Sequence, residues 1–521
     1  MTRFQRKIAY LVAIVILIFP LWMFSSPATT KTDGGLLAAQ RRQDKLSEAD
    51  LGKIDPTSVS MKLATFGMHA FAVNWLWIKA IDYKEREDFT NFDATLTQIT
   101  HLQPHFVNVW DFQGHNVAFN ISFDFDDYRD RYHYVIKGFK LMEKGIRFNE
   151  NKIKLPRSYA GFISLKIGRS DEKRLYRGLF RKDDDYHAPP REQNWLLGTR
   201  YEHRPENLRD ANLLSKWWYR EAEKLVTQHV VPNYGSIYPV VFHSEPVMEQ
   251  IQYAKSLAEY GEFGKNGIQA QAAWETAGKE WQAFSELSLP ALDGFHYRLN
   301  DYETFKKQRE NLRDQILAMQ PGLVERLGKE VLDNLTDEEK TAWEKEPPLR
   351  SPEEIMLVRG IQVRLAFGAD EIAEAITGEK RTEALRLADQ YRYAFERSAA
   401  IEQGRDAANF DYWQHRCEIE QMPQSVAARQ AAYEAEVAFK ASNLPESLAK
   451  YETAIDLWNQ VLGRFPVMMD EPTFIEDLVE MIDKYQSVLQ QTRPDGSRDL
   501  PDDFPLQHVV DRWIEMKRAS R

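Results

Sequence analysis

The chain predicts an all-α fold behind one N-terminal transmembrane helix. Three observations carry this. Apolar residues recur at helical spacing, as in Leu214, Trp217, Trp218, Ala222 and Leu225, and again in Leu506, Val509, Val510, Trp513 and Ile514. Helix-start signals recur while alternating β-branched runs are scarce: Thr336 with Glu339 makes a capping box, and Ser351 precedes Pro352 at a first helical position. One long apolar run, at the N-terminal end, stands apart from an otherwise polar chain with a mean hydropathy of −0.54.

That run, Ile8 to Phe24, lies in a stretch without charge from Ile8 to Thr30. As a helix the uncharged stretch would extend about 34 Å, enough for a hydrocarbon core of about 30 Å. Arg3, Arg6 and Lys7 precede it, which favours an N-terminus held in the cytoplasm and a body outside it, periplasmic if the cell is bacterial. Ser26-Pro27-Ala28 is a fair signal-peptidase site, but the apolar core is longer than that of a usual signal peptide and ends in Trp22 and Met23. Residues 1–30 are therefore read as cytoplasmic tip and anchor in preference to a removable signal.

The remaining composition excludes several classes. A chain of 521 residues with 43% apolar content is too rich for disorder and long enough for more than one core. A single cysteine, Cys417, rules out an internal disulfide or a multi-cysteine zinc site. The net charge is −11, and without Arg3, Arg6 and Lys7 there are 65 basic residues against 79 acidic, a balance of −14. Such a body is unsuited to nucleic acid and would be repelled by an anionic membrane surface.

Punctuation divides the chain. Residues 31–54 are small and polar with Gly34-Gly35 and read as a tether. Breaks at 181–194, 232–239, 346–352 and 492–505 are rich in proline, glycine and aspartate. The expected organisation is N-terminal helices over 55–168, a looped insertion over 169–244, helices over 245–322, helical pairs over 323–465 and C-terminal helices over 466–521. A short strand is conceivable within 228–243, but no sheet is expected.

Three segments share a pattern of small and aromatic residues. After Pro104 come Trp110, Gln113-Gly114 and Val117, giving W-x-x-Q-G-x-x-V, and a second helix with Gly138, Met142 and Gly145 follows an insertion at 121–134. Ala160 and Ile163 take the matching small and apolar positions of the next helix. The segment 251–284 has Leu257-Ala258, then Ala270, Trp274 and Ala277; the segment 428–461 has Ala435, Ala438, Tyr451 and Ala454. In the latter Glu434 occupies a leucine position and Pro466 falls late, so an extended second helix is expected. Small residues would let paired helices approach while the aromatics fill the hole to the next pair.

This pattern resembles the tetratricopeptide repeat, a helix pair of about 34 residues with the signature W-x-x-L-G-x-x-Y. The resemblance is partial: 170–245 and 290–400 depart from it. It implies antiparallel helix pairs stacked as an α-solenoid, with a concave groove lined by the first helix of each pair. Carried over, the groove residues are Asn108, Asp111, His115 and Phe119; Gln252, Lys255, Glu259 and Phe263; and Arg429, Glu436 and Phe439. Polar groups with terminal phenylalanines suit an extended peptide.

Chemistry-bearing motifs are missing. There is no H-E-x-x-H, G-x-S-x-G, phosphate-binding loop or haem C-x-x-C-H. Gly261, Gly264 and Gly267 read as a turn between helices. Asp124, Asp126, Asp127 and Asp130 fail the calcium-loop rule, since Arg129 stands at the turn-glycine position and Val135 at that of the bidentate acid. His101 and His105 are separated by Pro104. The tryptophans at 75, 77, 217, 218, 274 and 281 read as interhelix packing, and Cys417 as a structural thiol.

The expected function is a membrane-anchored scaffold, without cofactor or metal, that binds a protein or peptide outside the cytoplasm. It touches the membrane through 8–30 and binds no nucleic acid. The alternative is a cell-envelope hydrolase with a site in 170–245, where Asp183, Asp184, Asp185, His187 and His203 concentrate.

Overall fold

The structure, a computed structural model, describes residues 69–86, 88–228, 238–291 and 294–519 together with Val12 and Ile16. The expected anchor, apart from those two positions, and the expected tether lie outside the described residues. Among the described residues no helix is long and apolar enough to cross a membrane.

The body is all-α. Strand is confined, among the described residues, to Leu289–Pro290 paired antiparallel with His296–Tyr297. Of the stretch 228–243, where a strand is conceivable, 229–237 lie outside the described residues, and Pro239 opens a helix at its first position, where a missing N–H costs nothing. Two compact units are present. The first comprises the described part of Met1–Tyr238 with Glu245–Ala277 and Val426–Ala454; the second comprises Pro239–Ser244, Gly278–Ser425 and Ile455 onward.

The first unit begins with α1 (His69–Glu85) and α2 (Phe89–Leu102), the latter capped by Asp88, whose carboxylate accepts from the Asn91 N–H at 3.2 Å. Val73, Leu76 and Ala80 of α1 pack on Phe92, Leu96 and Ile99 of α2. α3 (Val107–His115) continues into a π-helical turn, Asn116–Asn120, and α4 covers Tyr128–Phe148. α5 (Lys154–Ile163) likewise ends in a π-helical turn, Ser164–Gly168. α6 (Lys173–Arg181), the single-turn α7 (Asp184–His187) and α8 (Ala211–Thr227) follow.

α3 and α4 meet antiparallel along the residues that carry the repeat-like pattern. A Cβ on Gly145 would lie 2.6 Å from the Trp110 ring, and one on Gly114 would overlap the Met142 sulfur. On Gly138 it would stand 2.8 Å from both the Ala118 amide nitrogen and the Gly114 carbonyl oxygen. Backbone therefore faces backbone at Gly138. Trp110 is locked by its indole N–H, which donates to the Pro104 carbonyl at 2.8 Å, and the Asn149 amide donates to the same oxygen at 2.9 Å. α5 packs on both α3 and α4, and α8 packs on α5. Ala160 is fully buried at that last contact, where the Ser215 hydroxyl donates to its carbonyl at 2.8 Å.

α9 (Pro239–Glu259) and α10 (Ile268–Ser285) form the second pair, joined by the expected turn. Gly261, Gly264 and Gly267 all take φ between 71° and 78°, where a side chain would be strained. At Gly261 a Cβ would also strike the Tyr433 ring. The third pair is α18 (Pro423–Lys440) and α19 (Leu444–Arg464), in contact where the Ser447 hydroxyl donates to the Ala435 carbonyl at 2.9 Å. α19 has 21 residues, the extension implied by late Pro466. At the missing leucine, Glu434 bonds the Lys450 ammonium on the facing helix.

In the second unit α11 (Tyr302–Met319), α12 (Leu323–Asp333), α15 (Ala369–Ala375) and α16 (Arg381–Ala408) share a core of Leu312, Ile316, Leu323, Ile372 and Leu387. α13 (Asp337–Glu344) and α14 (Pro352–Leu365) begin with the two capping boxes read from the sequence, Thr336 with Glu339 and Ser351 with Glu354. α17 (Phe410–Glu420), α20 (Pro472–Thr492) and α21 (Gln507–Ala519) complete it. The Arg416 guanidinium is buried between Glu420 at 2.8 Å and Asp477 at 2.6 Å and lies over the Phe474 ring. Cys417 beside it is buried, and burial pushes its thiol up to about 12, an inert structural thiol.

The α3–α4 geometry sets a stability prediction. Gly138→Ala should cost about 1–3 kcal/mol by overpacking against backbone that cannot yield. Gly463→Ala, at an exposed position of α19 with nothing within 4 Å, should gain up to about 1 kcal/mol. Urea midpoints of the two variants should move in opposite directions.

Candidate functional site

The expected groove residues are distributed unequally. Asn108, Asp111, His115 and Phe119 form one stripe along α3 and its π-helical turn, and α5 supplies the opposite wall. Lys154 reaches across to Asn108 at 2.8 Å and Asp111 at 2.9 Å. The exposed His115 ring stacks flat on Phe119, centroids 4.7 Å apart, and both present edges to Phe162 at 5.7 and 5.3 Å. The Lys166 ammonium stands 5.3 Å over the Phe119 ring, and burial draws its pKa below that of an ordinary lysine. The result is a two-helix surface with an ion-pair end and an aromatic end closed by a cation.

The second set is different. Gln252 is half-buried and Lys255 exposed on α9, but Glu259 is paired with Lys173 of α6 at 2.8 Å. α6 lies along this part of α9. Arg177 donates to the Ser256 hydroxyl at 3.0 Å and stacks over Tyr260, and Arg181 bonds Glu262. The residues 173, 177 and 181 are spaced one helical turn apart, so a basic edge meets the acidic end of α9. Phe263 corrects the groove assignment: it is 4% exposed and packs edge-on against Tyr433, 6.1 Å away, so it belongs to the core. The fixed turn of Gly261 and Gly264 points it inward. Arg429, Glu436 and Phe439 are half-buried on α18, with Glu436 3.7 Å from Lys440 one turn on.

Of the acids singled out in the 170–245 segment, Asp183 and Asp184 hold structural partners, while Asp185 is exposed. Asp183 caps α7 by accepting from the Tyr186 N–H at 3.0 Å and also accepts from the Tyr132 hydroxyl at 2.8 Å. Asp184 pairs with Arg209 at 2.7 Å. His187 is buried, bonded to the Phe180 carbonyl, and desolvation pulls its pKa down to about 4. His203 is exposed beside Glu202. Of the aspartates at 124–130, Asp127 caps α4 through the Arg129 N–H at 2.7 Å. Among the described residues no group of three or more His, Cys, Asp or Glu could hold a metal ion.

Sequence reading missed the buried charges. Glu249 of α9 sits 2% exposed beneath the π-helical turn of α5, where Ser164 donates to it at 2.6 Å and Arg169 at 3.0 Å. Its second oxygen has no hydrogen-bond partner among the described residues, and burial raises its pKa to about 7 against the pull of Arg169 and Ser164. One turn earlier, Glu245 is chelated by Arg157 of α5. Elsewhere in the unit, Glu143 accepts from Arg204 and from the Tyr159 hydroxyl, and Arg204 also donates to the Tyr186 carbonyl at 2.6 Å. A signal existed: Glu245 and Glu249 are four apart, one turn from each other on one face of α9. Their partners are 80 or more residues distant and were not legible.

No protein-family model matches the chain, and neither a curated protein nor a solved structure is significantly similar to it.

The raised Glu249 pKa fixes a pH dependence. An acid whose folded pKa exceeds its unfolded value binds an extra proton when folded, so its contribution to stability falls as pH rises from about 4.5 to about 7. Glu249→Gln, which imitates the protonated form, should therefore gain on the parent chain across this window. Denaturation midpoints compared at pH 5 and pH 8 should show the difference growing in the variant's favour; a difference constant with pH would refute the assignment.

Proposed function

We propose that the protein is a membrane-anchored helical scaffold whose first unit binds a segment of another protein outside the cytoplasm. The observation that carries this reading is the α3–α5 surface. His115, Phe119 and Phe162 offer a stacked aromatic platform, and Lys166 and the Asn108–Asp111–Lys154 cluster offer hydrogen-bonding groups on either side. That combination suits a peptide, whose backbone needs polar partners and whose side chains need apolar ones. The close small-residue contacts of α3 with α4, and the packing of α5 on both, support the reading as stacked repeat-like pairs. The uncharged run at 8–30 behind Arg3, Arg6 and Lys7 supports the anchor and the orientation. The engagement of Asp183, Asp184 and His187 in caps and packing leaves the hydrolase reading without a free acid pair at those positions.

Photo-crosslinker placed at His115 in cells should give a discrete protein adduct, whereas the same group at exposed Val363 of the second unit should not. Phe119→Ala should weaken the adduct about tenfold or more, since a buried aromatic anchor commonly carries at least about 2 kcal/mol of a binding energy. Equal adducts at both positions, or none at His115, would exclude this face as the binding site.

A further inference from the structure

α1 is apolar on both sides. One side, Val73, Leu76 and Ala80, is buried on α2. The other exposes Phe71 by 70%, Trp75 by 55%, Ile78 by 67% and Ile81 by 54%. These residues form one stripe over three turns, and in those turns the sole charge is Lys79. Its ammonium is drawn 4.2 Å over the Trp75 ring. Charge returns only in the last turn, with Asp82 bonded to Arg86 at 2.8 Å. Single exposed apolar residues are ordinary, but a contiguous stripe of four large ones marks an interaction surface. Trp75 thus departs from the packing role that its spacing suggested.

We propose that α1 is an interfacial helix that lays Phe71, Trp75, Ile78 and Ile81 into the headgroup–acyl boundary of a phospholipid bilayer. The inference rests on the reading of 8–30 as an anchor. Chain length argues for this occupant: the stretch 31–54, whose composition reads as a tether, lies between that run and α1, and a flexible chain of this length would span about 27 Å. α1 is thereby held within reach of the bilayer. The chemistry agrees. Tryptophan and phenylalanine with aliphatic neighbours suit the interface, and a lysine whose stem lies flat can keep its charge in water. A second copy of the chain fits less well, because four side chains fall far short of the roughly 20–30 residues a side of a stable protein interface. With a body balance of −14 the docking is apolar, so phosphatidylcholine suffices and anionic lipid adds nothing.

The test uses the full chain in phosphatidylcholine vesicles, spin-labelled in turn through Ile78→Cys, Ile16→Cys and Ile268→Cys. Cys417 is buried, and the unsubstituted chain measures any label it takes. Ile268 is exposed elsewhere on the first unit and reports water. An apolar face lies about 5–10 Å below the headgroups, so collision of the position-78 label with aqueous nickel chelate should be roughly tenfold lower than at position 268, with oxygen collision high. Nickel access at 78 equal to that at 268 overturns the proposal. Low access to both nickel and oxygen at 78 also overturns it, because protein, such as a second copy, then covers the stripe. The position-16 label separates the two readings: lipid at 16 with water at 78 sinks the docking and leaves the anchor, and the converse leaves docking without an anchor.

Discussion

Close approach of helices at small residues is the constraint on which the first unit depends. Where Gly138 faces Ala118 and Gly145 faces Trp110, a single methyl group would push α3 from α4. That distance sets the position of the α3 stripe relative to α5, and so the stacking of His115 and Phe119 against Phe162. The large aromatics do the complementary work. Trp110, Phe139, Tyr159 and Trp218 are essentially fully buried and fill the volume that the small residues leave between successive helices. The α3–α5 surface is thus a by-product of an interior that tolerates little change in volume.

The interior also contains charge to a degree its apolar pattern conceals. Arg204 with Glu143, Arg177 with Asp210, and Arg416 with Glu420 are all within 10% of complete burial. Taking such ions from water costs several kcal/mol each, and their geometry must return it. They contribute little net stability compared with apolar replacements. They do penalise misaligned packing, since a shifted helix would strand a buried charge. Glu249 is the incomplete case, with one oxygen paired and the other bare.

Much was legible locally. The capping boxes at Thr336 and Ser351, the three-glycine turn, the extended α19 and the burial of Ala160, Ala435 and Trp274 follow from residue type and spacing, because caps, turns and amphipathic faces are decided within a few residues. The candidate site was half legible. The α3 stripe was placed by the repeat-like spacing, but its other wall, Lys154, Phe162 and Lys166, comes from a helix some forty residues on. Phe263 was misjudged because helical spacing was carried past the end of α9, into a turn where glycine conformation and Tyr433 decide direction.

By itself, the sequence determined that this chain is helical, where several of its helices start, and that its body is acidic behind an uncharged apolar run. Those properties are sums of local preferences and of composition. Tertiary structure alone decided which faces meet. It put α6 over the acidic end of α9, buried Glu249 under a turn eighty residues away, and left Phe71, Trp75, Ile78 and Ile81 of α1 in the open. An apolar stripe reads the same whether it faces a neighbouring helix or solvent, since periodicity records that a face is apolar and not what covers it.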